Sequence, residues 1–247
     1  MPSGGRAWIL GIDTSGAAGG LALLEREGET LAGRALDAGA RSSRALMPAL
    51  DLLLREAGVR REDLAAVGAA TGPGTFTGLR IGLSTAKGLS LALGIPLYSV
   101  SSLEALALLA WRLRPKGEPP EWILPFRDAR QGELFWARFE APQAPGGLPR
   151  REGEDGVAEP SRIALPRGRT LAVGSDAALP PAWAAWVGVS HVALSTAAPA
   201  VARLAREALM RREPPAPPGL EPRYGREPRA MTQWGAPPGV DHGPSLT

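Results

Sequence analysis

Residues 71–82, which read TGPGTFTGLRIG, constrain this chain more than any other part of its sequence. Gly72, Gly74 and Gly78 lie close together, and glycine stands where the backbone needs positive φ or where another group must approach it. An apolar helical pattern begins at about residue 77 or 78. Because the first NH groups of a helix are unpaired and attract anions, the segment predicts a loop docked on a helix N-terminus.

Two explanations of this loop remain open. In the first, the loop cradles a phosphate or carboxylate with Gly72, Gly74, Thr75 and Gly78. In the second, the glycines only let the helix pack tightly on a sheet. The loop is not a Walker A loop, because no Gly-Lys-Ser or Gly-Lys-Thr follows it and Lys87 lies about two turns inside the helix. The spacing alone does not separate the two explanations.

Composition excludes several kinds of chemistry. The chain has 247 residues, 44% of them hydrophobic, which is enough for one large domain or two small ones. It has no cysteine, which excludes disulfides, thiolate metal sites and cysteine nucleophiles, and its two histidines argue against a histidine-rich metal site. The apolar run at residues 7–12 is too short for a signal-peptide core or a membrane span, so we expect a cytoplasmic protein without membrane contact.

The net charge is +3, and nearly all of the positively charged side chains are arginines. Arginine suits planar, bidentate contacts with carboxylate or phosphate. No block of like charges stands out, so we interpret the arginines as surface and ion-pair residues, with contact to RNA as the second explanation.

Hydrophobic periodicity predicts an α/β protein made of two lobes. In the first lobe, strands are predicted at residues 8–13, 19–24, 30–36, 64–70 and 97–100, and helices at 43–56, 79–93 and 103–114. Residues 115–120 have the composition of a linker. Beyond it, strands are predicted at 122–126, 133–140 and 171–174, a helix at 196–211 and a loop at 141–159. We therefore expect domains at 1–115 and 116–226 and a flexible tail at 227–247.

Each lobe opens with a strand and a turn that carries a carboxylate, which suggests a duplicated architecture. Asp13 and Thr14 follow the first strand, and Asp128 follows the strand at 122–126. Together with the glycine loop these residues are candidates for binding an anion or a nucleotide. A purely turn-forming role for Asp13 stays open.

The helix predicted at 79–93 carries more apolar surface than one sheet face needs. Its small residues would let another helix come close; they are Gly82, Ser84, Ala86, Gly88 and Ser90. Either a second protein covers this surface or the helix is sandwiched inside one domain.

Several segments carry a specific resemblance to one family. Residues 71–82 resemble the GPGSFTGLRIG signature of the bacterial TsaB (YeaZ) family. Residues 9–15 resemble its opening strand, 100–105 its next turn, 128–136 its DARxGEVYWA segment and 221–224 its EPxY element. The likeness covers most of residues 8–140 and is thinner to about 226. The chain departs from the family pattern at 40–43, which lacks a common histidine, and after Tyr224.

The resemblance implies a two-lobed actin/Hsp70/sugar-kinase-like (ASKHA) α/β fold with mixed sheets flanked by helices. It also implies a part in making N6-threonylcarbamoyladenosine at position 37 of tRNAs that read codons beginning with A. Members of the family are partners of the catalytic subunit TsaD. TsaD carries a His-Met-Glu-Gly-His type metal site where this chain reads SLEAL at 102–106, so both imidazoles are replaced. The resemblance therefore implies no catalytic residue and no metal here.

The implied role is a scaffold without bound cofactors of its own, ATP and a metal being expected in the partner subunits. It would pair with a TsaD-like subunit through helices 43–57 and 79–93, present a joint surface to a TsaE-like ATPase, form a homodimer when alone, and meet tRNA only through the complex. The implied interface residues are Leu46, Leu50, Leu53, Gly82, Leu83, Ala86, Gly88 and Ser90.

An alternative is an autonomous ATP-dependent phosphotransferase or ATPase, with Asp13 and Asp128 around Mg²⁺ and the glycine loop on phosphate. No lysine or histidine stands near either carboxylate in the sequence, and no second glycine-rich loop for adenosine is evident. A peptidase is disfavoured, because the chain has no HExxH motif, no cysteine and no plausible Ser/His pair.

Overall fold

The fold is built from two sheets that repeat one strand order. The computed structural model describes residues 7–29, 31–36, 43–144, 146–174, 178–184, 189–194 and 196–225. The predicted tail at 227–247 lies outside the described residues. The first sheet contains β1 (Trp8–Asp13), β2 (Gly19–Glu25), β3 (Leu31–Leu36), β4 (Leu64–Gly72) and β5 (Leu97–Ser101). The second contains β6 (Trp122–Asp128), β7 (Leu134–Glu140), β8 (Arg150–Ala158), β9 (Thr170–Gly174) and β10 (Val189–Ala193).

The strand orders are β3-β2-β1-β4-β5 and β10-β9-β6-β7-β8. In each sheet the first strand lies in the centre, antiparallel to the second strand and parallel to the fourth. The same topology therefore occurs twice along the chain. This confirms the two-lobed fold that the sequence predicts.

In the described part of the chain five α-helices accompany the sheets: α1 (Ser43–Glu56), α2 (Phe76–Leu93), α3 (Ser102–Leu113), α4 (Pro181–Ala184) and α5 (Ala198–Met210). The buried leucines of α1 and α2, such as Leu50 and Leu83, pack with Leu10 and Ile12 of β1 on one face of the first sheet. On the other face, a Cβ at Gly11 would collide with the backbone of α5 at Ala198. Because side chains alternate across a strand, Asp13 lies on the same face as Gly11, towards α5.

Helix α5 follows the second sheet in sequence but contacts β1, β2 and β4 of the first. Helix α3 contacts both α5 and β6. The two lobes therefore share an interior in which α3 and α5 lie between the sheets. The residue limits 1–115 and 116–226 of the two domains remain a prediction.

The sequence missed two edge strands. Residues 150–158 were predicted as part of a loop but form β8, and β10 was not predicted. Most residues of β8 are exposed or half-buried and its sequence is RREGEDGVA, so the apolar alternation of a half-buried strand is absent. An edge strand pairs through its backbone on one side only, and it needs little apolar surface to do so.

Candidate functional site

Asp13 ends β1, and its carboxylate is completely buried. Its Oδ1 accepts hydrogen bonds from the backbone NH of Ser15, at 3.0 Å, and from the Ser15 hydroxyl. Its Oδ2 accepts a hydrogen bond of 2.8 Å from the backbone NH of Ala197, the residue before α5. Both oxygens are therefore bound by the chain itself.

Arg127 of β6 supplies the opposite charge. Its Nη2 lies 3.5 Å from Asp13 Oδ2, and each side chain is only 1% exposed. A buried carboxylate is costly unless it is paired and hydrogen-bonded, and Asp13 is both. The ion pair joins the central strand of the first sheet to the central strand of the second. This ion pair therefore links the two lobes structurally.

The glycine loop packs against the turn that follows Asp13. Thr75 NH donates a 2.8 Å hydrogen bond to Ser15 O, and the Thr14 hydroxyl donates one of 2.7 Å to Gly78 O. A Cβ at Gly74 would collide with Ser15 O, and one at Gly78 would collide with Thr14 O. The packing explanation of these glycines therefore has direct geometric support, whereas their anion-binding role remains a prediction.

The other side of the loop is covered by residues 214–225, which we call the C-terminal strap. Gly72 has φ of +124°, and a Cβ there would collide with the backbone carbonyl of Arg223. Arg223 NH also donates a 2.7 Å hydrogen bond to Thr71 O. Only glycine allows the strap to approach this closely in that conformation.

The strap ends in an aromatic cluster on the first turn of α2. The rings of Tyr224 and Phe76 stack with their centroids 4.7 Å apart. Arg80 lies with its guanidinium carbon 4.0 Å from the centre of the Phe76 ring, and its Nε donates a 2.8 Å hydrogen bond to the Tyr224 hydroxyl. The EPxY-like element thus fixes the strap to the helix that follows the glycine loop.

Asp128 stands apart from this buried group of contacts. Its side chain is exposed, Oδ1 accepts a 2.7 Å hydrogen bond from Arg130 NH, and Oδ2 lies 3.7 Å from the Arg130 guanidinium. It is Arg127, its neighbour in β6, that reaches Asp13. The nucleotide-binding role predicted for Asp13, Thr14 and Asp128 remains a prediction.

The two positions at which the resemblance implies replaced imidazoles, Ser102 and Leu106, serve packing here. Ser102 is buried, and its hydroxyl donates a hydrogen bond to the carbonyl oxygen of Pro73 in the glycine loop. Leu106 is completely buried in the apolar cluster around α3. Within the described ranges, no group of three His, Asp or Glu side chains is arranged to hold a metal ion.

Most of the implied interface residues cannot touch another protein. Six of them lie in the interior of this chain: Leu46, Leu50, Leu53, Gly82, Leu83 and Ala86. Gly82 is buried, and the other five are at most 3% exposed. The prediction of direct contact through them is wrong, because the sheet needs this apolar stripe for its own core. Gly88 is exposed and Ser90 is half-buried, and their interface role remains a prediction.

The outward faces of α1 and α2 carry other apolar residues. Leu91 is 85% exposed, Phe76 45% and Leu52 38%. On α2 five of the exposed positions recur every four residues and so form one stripe; they are Phe76, Arg80, Ser84, Gly88 and Ala92. Sequence reasoning named Ser84 and Gly88 of this stripe but missed Phe76, because it assigned the first turn of α2 to the loop.

Sequence reasoning also missed Arg127 and the strap. The signal for Arg127 was available, because an arginine inside a strand that reads WILPFRD needs a partner if it is buried. The signal for the strap was weaker, since residues 214–225 contain five prolines and resemble a loose tail.

These features define a class of protein. Two sheets with one repeated strand order, helices between them, and a carboxylate turn beside a glycine loop constitute the two-lobed actin/Hsp70/sugar-kinase-like fold. A family profile described as TsaD, tRNA N6-adenosine threonylcarbamoyltransferase, matches residues 36–147. A solved structure from Pseudomonas aeruginosa, described as similar to peptidase YeaZ, superposes with a TM-score of 0.73 and 29% identity, covering 89% of this chain and 100% of that one.

Two curated relatives have the same name, tRNA threonylcarbamoyladenosine biosynthesis protein TsaB. The protein from Escherichia coli (strain K12) is 31% identical over 145 residues, which are 57% of this chain and 58% of the relative. The protein from Bacillus subtilis (strain 168) is 37% identical over 133 residues, 53% of this chain and 55% of the relative. Over these residues the chain is similar to the TsaB (YeaZ) family in sequence, and its fold is similar over most of its length. The matched region spans a little over half the length of these relatives.

Among the described residues, no helix is both long enough and apolar enough to span a membrane.

Proposed function

We propose that this protein is a non-catalytic subunit of the machinery that makes N6-threonylcarbamoyladenosine at position 37 of tRNAs reading codons that begin with A. It pairs with a TsaD-like catalytic subunit and stabilises that subunit in an active conformation. The names of the two TsaB relatives and the family profile support this role. The work belongs in the cytoplasm, and tRNA meets this chain through the complex only.

The contacts of the Asp13 carboxylate are the main support for a non-catalytic role of this chain. In a phosphotransferase of this fold, a carboxylate at this place would have to be available to Mg²⁺ and phosphate. Here both of its oxygens are bound by Ser15, Ala197 and Arg127. Opening the site would break a buried ion pair, so a role in joining the lobes is better supported than a role in catalysis.

The outward faces of α1 and α2 are the surface that we assign to the catalytic partner. Leu91, Phe76 and Leu52 supply exposed apolar area, and Gly88 allows close approach because nothing lies within 4 Å of a Cβ placed there. A stable contact of this kind buries on the order of 1,600 Å² in total. In the absence of the partner the same face pairs two copies of this chain.

The remaining components follow from this division of labour. ATP and a metal ion bind in the partner subunits, and a TsaE-like ATPase recognises the joint surface of the heterodimer. The replacement of both imidazole positions by Ser102 and Leu106, which are engaged in packing, supports the absence of a metal from this chain.

Reconstitution tests the proposal. Unmodified tRNA, threonylcarbamoyl donor, ATP, a TsaD-like subunit and a TsaE-like ATPase are incubated with and without this chain, and modified adenosine is measured by mass spectrometry of digested tRNA. We expect modification only when this chain is present. Equal modification in its absence would refute a required role.

The alternative, an autonomous phosphotransferase or ATPase, makes a different prediction. Calorimetry of the isolated chain with ATP and Mg²⁺ would give micromolar binding, and phosphate would be released over time. We expect neither, because the Asp13 carboxylate is already bound within the protein. Saturable binding with turnover that Asp13→Asn abolishes would favour the alternative.

A further inference from the structure

A cavity remote from Asp13 has the composition of an amine-binding site. It has a volume of about 390 Å³ and lies between β5, the first turn of α3, the end of α5 and the beginning of the C-terminal strap. Its polar lining comes from Tyr98, Glu104, Glu207, Arg211 and Glu213. None of these residues contributes to the contacts of Asp13.

Glu104 presents a carboxylate without a partner to this cavity. It is half-buried in the first turn of α3, where its backbone NH is bonded to the Ser101 hydroxyl at 3.4 Å. In the described part of the chain, no group donates a hydrogen bond to its carboxylate or lies within 4.0 Å of it as an ion pair. Burial raises the pKa of Glu104, against the lowering effect of the Arg151 guanidinium.

Tyr98 is a second polar group with no partner. It is only 6% exposed, and it lines the cavity from β5. No described residue hydrogen-bonds to its hydroxyl. Its hydroxyl is therefore free to bond to water or to a ligand in the cavity.

The charge of the lining favours a cation. One arginine, Arg211, lies 3.7 Å from Glu207 and 3.8 Å from Glu213, and it is the only cation among the lining residues of the described cavity. Among the lining residues three carboxylates therefore stand against one guanidinium, and Arg206, which lies outside the lining, is 3.7 Å from Glu207. The negative end of the α5 dipole lies nearby and acts in the same direction.

The apolar lining selects an organic cation over a metal ion. Leu148, Leu204 and several prolines form the rest of the wall. Those side chains offer contact area to methylene groups and no ligand to a metal.

We propose that this cavity binds an alkylammonium group. The ammonium donates hydrogen bonds to the Glu104 carboxylate and the Tyr98 hydroxyl, while its methylene chain lies on Leu148 and Leu204. The group belongs either to a free diamine or polyamine or to a lysine side chain of another protein, since both present the same chemistry. This proposal does not depend on the proposed role in tRNA modification, and it can be tested separately.

The test is calorimetric titration of the full-length protein at low salt. Cadaverine is the probe for a free amine, Nα-acetyl-lysine amide is the probe for a lysine side chain, and 1-pentanol is the uncharged control. We expect saturable binding of at least one amine and none of the alcohol. Glu104→Gln should weaken binding about ten-fold, and Tyr98→Phe should weaken it several-fold, because each removes one hydrogen bond from a charged group. Tighter binding of one probe identifies the source of the amine.

Two controls keep the outcome interpretable. Glu118→Gln removes an exposed carboxylate that is paired with Arg169 far from this cavity, and it should leave binding unchanged. Tyr98→Phe keeps the ring, so it tests the cavity even if Glu104→Gln disturbs the fold. The proposal is overturned if neither amine binds at 10 mM, roughly the weakest affinity such a site would have, or if both variants bind as the wild type does.

Discussion

Asp13 Oδ2 and Arg127 Nη2 lie 3.5 Å apart in the interior, between the central strands of the two sheets. Hydrogen bonds from Ser15 and from the backbone NH of Ala197 orient the carboxylate, and they do so independently of the Arg127 guanidinium. The strand end that could serve phosphate chemistry in a two-lobed protein is used here to connect the lobes.

Breaking this pair should destabilise the protein strongly. Asp13→Asn leaves the Arg127 guanidinium without its carboxylate in the interior, which typically costs about 3–5 kcal/mol of unfolding free energy. The double variant Asp13→Asn with Arg127→Met should recover part of the loss, because no uncompensated charge remains buried. Urea unfolding measures both. Arg169→Gln, which removes exposed ion pairs with Glu118 and Glu121 and an exposed hydrogen bond to Pro119 O, should cost only about 1 kcal/mol. Similar losses in all three variants would contradict the assignment of Asp13 and Arg127.

Two glycines of α2 should respond to alanine in opposite ways. A Cβ at Gly82 would collide with the Thr14 hydroxyl, whereas one at Gly88 meets nothing within 4 Å. Gly82→Ala should therefore destabilise by about 1–3 kcal/mol. Gly88→Ala should be neutral or stabilise by up to about 1 kcal/mol, because alanine is the better helix former. Thermal unfolding of the two variants side by side checks this, and a larger loss at Gly88 would refute the packing described.

The attachment of the C-terminal strap should depend on Tyr224. Tyr224→Phe removes the hydrogen bond to Arg80 but keeps the stack on Phe76, whereas Tyr224→Ala removes both. We expect a small increase in amide hydrogen exchange within the strap for the first variant and a large one for the second, with the sheets unaffected. The Arg223 NH, bonded to Thr71 O, is the most informative probe. Unchanged exchange in Tyr224→Ala would show that the aromatic cluster does not fix the strap.

The pH dependence of stability should reveal Glu104. Burial raises its pKa in the folded protein, so the folded state binds the proton more tightly than the unfolded state does. Wild-type stability is therefore lost as the pH rises from the ordinary glutamate range through the raised pKa. Glu104→Gln removes this loss. The free energy of unfolding of the variant should therefore rise relative to that of the wild type as the pH is raised from acidic to neutral.

Asp63 provides a control of opposite sign. The hydrogen bond from the Arg60 side chain lowers the pKa of Asp63, so its contribution is present above the ordinary aspartate pKa and is lost as the pH falls. Asp63→Asn should be the less stable protein at neutral pH and converge with the wild type in acid. Denaturant midpoints from pH 3 to 8 cover both changes, and parallel curves for Glu104→Gln and the wild type would contradict its buried state.

The sequence predicted local order well because the central elements obey simple periodicity. β1 was predicted with its observed bounds, and the predicted 64–70 and 97–100 strands extend by only one or two residues. The alternation of β1 already places Asp13 on the face of Gly11. The pattern of β1 could not show which distant side chain contacts that face, because Arg127 lies 114 positions further along the sequence.

The sequence left open whether a partner or the chain's own interior covers the apolar surplus of α2, and in the structure this surplus divides between the interior and the surface. Leu83 and Ala86 belong to the chain's own core, and the exposed apolar residue at the end of the helix is Leu91. Periodicity finds an apolar stripe, but it does not reveal whether the sheet or another protein covers it. Only the packing of α1 beside α2 separates the buried stripe from the exposed one.

The most direct measurement is the rate of tRNA modification by a fixed amount of the TsaD-like subunit, with its ATPase, as the concentration of this chain is raised. We predict no product without the chain, saturable stimulation with it, and a half-saturating concentration raised at least about ten-fold by Gly88→Glu, which introduces a charge where the monomer has open space. The matched variant Leu113→Asp, at a position 57% exposed on α3, should behave as the wild type. Product formed by this chain without the partner, or a rate that does not depend on its concentration, would contradict the account.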